Sequence, residues 1–250
     1  MVIVQHEDET RTRILAWDGC LNVRDLGGYV TSDGRMTRWG AIVRADSLFT
    51  LSRAGQRALY DYGVRTIVDL RLPGEVEQAP NPFATPGDHD INYIHQSFIS
   101  VPRERDAPYT TLANEYTGEL DRNAGSIARI MSLIATAGDG GVLIHCVGGR
   151  DRTGLIAALL LSLVGVPLDT IADDYALSSE CLRPRDAEFL ENGPGERADR
   201  ERLLEQTQTR PEIMRETLTH LQATHGDVAA YLRQAGVTLH ELELLRTRLI

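Results

Sequence analysis

The 250-residue chain contains no lysine: all 26 of its Lys and Arg positions are arginine. That absence excludes a Walker A loop, which sets its Lys on the phosphates, and a Schiff-base Lys of the pyridoxal type. It also excludes a Ser-x-x-Lys acylase. Any anion bound here is met by arginine, backbone amides or a metal ion. Cysteine is scarce. Cys20, Cys146 and Cys181 are odd in number and widely spaced, which argues against a disulfide framework and for a reducing compartment. Long hydrophobic runs are missing too: the longest, Leu155 to Val166, is 12 residues and holds Ser162 and Gly165. It reads as a buried helix, too short for a bilayer. Residues 1–13 are acidic and polar without an apolar h-region, so they are expected to be a flexible N-terminus and not a secretory signal. The expected location is the cytoplasm, with signal-less export left open.

Formal charge is −10 and the sequence pI about 5.2. So acidic a chain has no global field for nucleic acid or anionic membranes, and neither nucleic acid nor an integral membrane segment is expected. Hydrophobic content of 42% and charged content of 25% are those of a globular protein. The length suits one elaborated domain over residues 1–250.

Short strands are expected at 22–26, 29–31, 41–44, 66–70, 91–94 and 142–144, with Ser32-Asp33-Gly34 as a turn between short apolar stretches. Ser52 caps an amphipathic helix that stops at Gly63, and Pro211 opens another. Strands separated by helices predict an α/β fold: a central, mostly parallel sheet flanked by helices, with additional C-terminal helices. The charged, Pro/Gly-interrupted stretch 183–209 is a candidate lid or flap.

The chemistry concentrates in His145-Cys146-Val147-Gly148-Gly149-Arg150-Asp151-Arg152-Thr153-Gly154. Cys and Arg six apart is by itself a weak signal. The flanking His and glycines, between an expected strand and an expected helix, make it specific. A short loop entering a helix N-terminus turns successive N–H groups inward and nests a tetrahedral anion. Here Val147, Gly148, Gly149, Arg150, Asp151 and Arg152 form the expected phosphate cradle. The helix dipole, the nest and Arg152 favour a Cys146 thiolate. Arg152 grips two phosphoryl oxygens, and Thr153 is placed to help the sulfur leave. The implied reaction is phosphomonoester hydrolysis through a phospho-cysteine, with no metal and no cofactor.

These residues resemble the signature loop of the protein-tyrosine-phosphatase superfamily, in the bacterial and fungal branch that has lipid-phosphatase relatives. Residues 22–28, 43–48, 68–75, 174–178 and the tail from Arg210 to Leu232 agree, so the resemblance spans roughly 14–250. It implies that superfamily's α/β fold, a helical lid in some members, and phosphotyrosine proteins or phosphoinositides as substrates. For the general acid two placements stay open. The branch sets Asp151 inside the loop, whereas the wider superfamily uses a mobile loop, here 97–108 with Glu104 and Asp106. Asp69, at a strand end, is a third candidate or a support, as His145 is. Arg24, Asp25 and Asp46 are expected as an ion-pair cluster behind the loop, and Cys20 and Cys181 as packing residues. Two rivals are a different thiol enzyme of the arsenate-reductase or sulfurtransferase kind and a non-catalytic phosphate-binding module. Arg150 stands where relatives commonly carry Lys, and in a lysine-free chain that exchange reflects composition as readily as specificity.

Overall fold

The computed structural model describes residues 11–85, 90–101 and 111–250. Five of the six expected strands form one sheet among the described residues: β1 Arg24–Asp25, β2 Ile42–Ala45, β3 Val64–Asp69, β4 Asn92–His95 and β5 Gly141–His145; 29–31 does not become a strand. Their order is β1-β2-β5-β3-β4. All neighbours are parallel except the β1–β2 edge pair. β5 is therefore central, and the chain leaves its C-terminal end flanked by the ends of β2 and β3. That is where open parallel sheets place their ligands.

The period of two explains both faces of the sheet. Ile42, Val68, Val142 and Ile144 point into the larger core cluster, while Val43, Ile67 and Leu143 point into the smaller one. The smaller side is closed by Trp17, Leu48, Leu51 and helix α1, Arg53–Asp61. Ser52 caps α1 by accepting from the Gly55 amide. A short helix α2, Pro73–Gln78, follows β3. The remaining long helices cover the larger face: α3 Leu112–Arg122, α4 Ala124–Ala135, α5 Asp151–Leu163, α6 Leu168–Cys181, α9 Pro211–His225, α10 Val228–Ala235 and α11 Leu239–Leu249. Helix α5 is apolar on every side and buried from Thr153 to Leu161. At about 1.5–3 kcal/mol for each buried Leu or Ile, this helix anchors the domain. Among the described residues no helix is long and apolar enough to cross a membrane.

The expected strand at 22–26 shrinks to two residues, and the turn at 32–34 closes on the lone Val30–Met36 bridge. Residues 22–26 are all buried, but the ladder stops because its backbone groups find side-chain partners instead: the Asn22 amide donates to Asp46, and the Gly27 and Gly40 amides donate to Asp25. The 183–209 stretch is folded as a helical hairpin of α7, Arg183–Asn192, and α8, Arg197–Gln206. Neither helix has a fully buried residue.

Candidate active site

Cys146 leaves β5 2% exposed, and the chain turns through 147–150 into α5. Three successive carbonyls of that turn are tied to groups behind it. The Val147 carbonyl accepts from the Ser47 amide (3.0 Å), that of Gly148 from Asn22 Nδ2 (2.9 Å), and that of Gly149 from Arg44 Nη2 (2.8 Å). With the oxygens held outward, the peptide planes turn their N–H groups toward the concave side, beside the N-terminus of α5. Gly149 has φ +62°, and a Cβ there would sit 2.4 Å from the Ala45 carbonyl oxygen. Only glycine lets the loop lie this close to β2.

The arginine ends of the motif have separate partners. Arg152 places Nη1 and Nη2 on the two carboxylate oxygens of Glu75, at 2.6 and 2.9 Å. Burial pushes the Glu75 carboxyl up, but Arg152 outweighs it and holds that group below the usual carboxylate range. Arg150 Nε donates to Asp151 Oδ2 (3.3 Å), and the Tyr116 hydroxyl donates to Oδ1 (2.5 Å). Tyr116 also shares a 2.8 Å hydroxyl contact with Tyr175. Burial first, then the Asp151 charge and Tyr175, push the Tyr116 hydroxyl well up, so it remains a donor. Asp151 keeps 39% of its side chain exposed. On the opposite rim, Arg185 of α7 lies against the loop, its Nη2 3.0 Å from where a Gly148 Cβ would stand.

The supporting residues separate from the rim. His145 Nδ1 donates to the Cys146 carbonyl (3.1 Å), and its Nε2 lies 3.0 Å from Asn81 Nδ2 and 3.4 Å from Asp69 Oδ2. Asp69 is fully buried and takes Arg71 Nε and Nη2 and the Tyr93 hydroxyl. Burial raises its carboxyl, yet His145 and Arg71 bring it well below the ordinary range. It braces the floor and does not face the mouth, which removes it as third candidate for the acid. The Thr153 hydroxyl is buried without a hydrogen-bond partner, the Cys146 sulfur included, so the expected Thr153–sulfur contact is not formed. Glu104 and Asp106 lie outside the described residues.

The expected Arg24–Asp25–Asp46 cluster is reorganised. Arg24 pairs with Asp174 of α6, at 2.9 Å from Nε to Oδ1. Asp25 accepts from the Gly27 and Gly40 amides and the Tyr62 hydroxyl, and Asp46 from the Leu21 and Asn22 amides. Each carboxylate satisfies nearby backbone instead, because α6 brings Asp174 to the buried arginines. Cys20 donates weakly to the Ser47 carbonyl. Burial above all, with Asp46 beside it, pushes its thiol up, as an inert packing thiol requires.

A profile of the tyrosine phosphatase family matches residues 15–250. The chain belongs to that family. This protein-tyrosine phosphatase is 32% identical over 217 residues to a tyrosine-protein phosphatase of Nostoc commune, covering 84% of this chain and 74% of the relative. It is 27% identical over 274 residues to the triple specificity protein phosphatase PtpB of Mycobacterium tuberculosis, covering 91% and 96%. The phosphatase thus carries a cysteine-dependent activity general to its family, on a mostly parallel α/β sheet. Sequence reasoning had not singled out Glu75, Asn22, Arg44, Asn81, Tyr116 or Asp174 as loop partners. All but Asn81 and Tyr116 fall within the segments that carried the resemblance.

Proposed function

We propose that this phosphatase works through Cys146 as nucleophile, with Arg152 and the amides of 147–152 as the phosphate cradle. The observation that carries this reading is the outward anchoring of the three carbonyls of Val147, Gly148 and Gly149. It leaves amides facing the space above the sulfur, preorganised for oxygens whose charge grows in the transition state. Attack of Cys146 Sγ on phosphorus breaks the P–O bond of the ester. The leaving oxygen takes a proton, and water then hydrolyses the phospho-cysteine to return the thiolate and free phosphate.

Asp151 is the proton donor in this reading, acting afterwards as base for the water. It keeps 39% of its side chain exposed, and Tyr116 and Arg150 fix where its two oxygens lie; this supports a positioned carboxyl group there. His145 supports the loop, donating from Nδ1 to the Cys146 carbonyl.

The substrate class extends beyond phosphotyrosine proteins to phosphoserine and phosphothreonine or phosphoinositides. Two features support that breadth: the name of the mycobacterial relative, and Arg150 and Arg185 beside Arg152 around one loop. The test is a panel of phosphopeptides and phosphoinositides at fixed pH, with Cys146→Ser as the control. The variant should lose turnover of p-nitrophenyl phosphate and keep phosphate binding. Full turnover in Cys146→Ser would overturn the mechanism, and activity on phosphotyrosine peptides alone would overturn the broader substrate class.

A further inference from the structure

Behind the loop lies a buried polar network, within which Arg44 Nε has no hydrogen-bond partner. Arg24 and Arg44 are fully buried on adjacent strands β1 and β2, and their side chains converge on Asp174 of α6. Asp174 Oδ1 accepts from Arg24 Nε (2.9 Å) and the Tyr29 hydroxyl (3.0 Å), and Oδ2 from Arg44 Nη1 (2.5 Å). Its backbone carbonyl takes Arg24 Nη2 (2.7 Å). Ser178, one turn along α6, accepts from Arg24 Nη2 (2.9 Å) and Arg44 Nη2 (3.4 Å).

Both arginines then pass this grip forward. Arg24 Nη1 donates to Asn22 Oδ1 (2.5 Å), and Asn22 Nδ2 donates to the Gly148 carbonyl. Arg44 Nη2 donates directly to the Gly149 carbonyl. Asp46 holds the Asn22 amide (3.0 Å), so Asn22 is fixed at backbone and side chain. From the Gly148 carbonyl one path runs through Asn22 and Arg24, and from the Gly149 carbonyl one runs through Arg44, both to the Asp174 carboxylate; Asn22 is held in addition by Asp46.

We infer that Asp174 is a positioning residue for the phosphate loop, acting through Arg44 and through Arg24–Asn22 to keep the Gly148 and Gly149 carbonyls turned away from the anion. Freed, either carbonyl can rotate its oxygen toward the bound phosphate and replace a donor by an acceptor. This inference rests on the reading of residues 146–152 as the phosphate cradle. It adds a distant residue that sets how tightly that cradle holds an anion.

The experiment measures inorganic phosphate binding by calorimetry in the Cys146→Ser background, where turnover plays no part. Asn22→Ala cuts the path to Gly148, and Arg44→Lys keeps the charge but cannot span Asp174 and the Gly149 carbonyl together. Asp174→Asn weakens both paths. Each variant is expected to weaken phosphate binding about tenfold, the scale of one good hydrogen bond. In the Cys146 enzyme, KM should rise with it.

Asp25→Asn serves as the stability control. That carboxylate is equally buried on β1 but touches no loop carbonyl, so its loss should lower Tm and leave phosphate affinity unchanged. Wild-type phosphate affinity in folded Asn22→Ala and Arg44→Lys would overturn the inference. An equal loss in Asp25→Asn would also overturn it, by making the effect one of general stability. If Cys146→Ser itself fails to bind phosphate, the reading of the cradle falls first, and that result is separable from the others.

Discussion

Arg152 and Glu75, 77 positions apart, meet as a two-pronged fork in which both terminal nitrogens of the guanidinium are taken by the carboxylate. Glu75 sits in the first turn of α2, where its Oε2 also accepts from the Leu72 amide. It is thereby rigidly placed, and so is Arg152, whose Nε and remaining N–H groups stay available for a phosphoryl group. Glu75→Gln keeps the shape but loses half of the charge-assisted fork. Its kcat/KM on p-nitrophenyl phosphate should fall about tenfold, the worth of one charge-assisted hydrogen bond. Arg152→Lys should fall further, because an ammonium cannot serve Glu75 and two phosphoryl oxygens in one plane. Steady-state kinetics on the two variants checks the order.

Gly149→Ala should be far more damaging than Gly148→Ala. The Cβ at 149 would press within 2.6 Å of the Ala45 carbonyl and the Asp46 amide nitrogen, at a φ of +62°. Backbone on both sides cannot yield, so a loss of about 1–3 kcal/mol and of phosphate binding is expected. At 148 the nearest atom is the end of the Arg185 side chain, which can swing aside. Urea unfolding of the two variants should show the first destabilised and the second close to wild type.

For the acid, Asp151→Asn should lower kcat about 10²-fold or more on phosphate esters with poor leaving groups. The loss should be smaller on p-nitrophenyl phosphate, whose leaving group needs little protonation. Asp106→Asn should leave both rates unchanged. The reverse result would move the acid to the 97–108 stretch.

Acid sensitivity follows from the buried network. Burial raises Asp174, but Arg24 and Arg44 outweigh it and hold its carboxyl far below its unfolded value. A depressed native pKa contributes stability that is fully present above the unfolded pKa of about 4; it shrinks below that and is lost as pH falls through the native value. Asp25 and Asp46 are shifted upward by burial, so their linkage has the opposite sign and weakens the fold as pH rises through their window. Asp174→Asn leaves two buried guanidiniums without their carboxylate, a loss of about 3–5 kcal/mol at pH 7. The difference in unfolding free energy between wild type and Asp174→Asn should be smaller at pH 3 than at pH 7, without vanishing. A difference that does not shrink would refute the assignment.

Local and distant contacts explain which parts of the site were readable in advance. Cys146 to Arg152 lie together because they are consecutive around the one turn from β5 into α5, so spacing alone carries their placement. The same holds for the Ser52 cap on the amide of Gly55, three residues on. Glu75, Asn22 and Arg44 reach the loop or its arginine across 77, 126 and 105 residues, and no period in the chain encodes such pairings. Arg24 illustrates the limit. Asp25 beside it and Asp46, 22 residues on, invited a local ion-pair cluster, yet α6 arrives with Asp174 and takes the arginine, 150 residues away.

The absence of lysine and the ten residues from His145 to Gly154 by themselves determined the proposed reading, an anion met by arginine and amides beside the Cys146 sulfur, and the family match agrees with its phosphatase part. Only the packing of β1, β2, α2 and α6 around that turn decided which carbonyls face outward and what holds Arg152. It also decided that Asp69 lies beneath the site and not at its mouth. The division is physical: a loop's own donors are set by adjacent residues, whereas its orientation is set by buried partners that only the folded sheet and helices bring within hydrogen-bond distance.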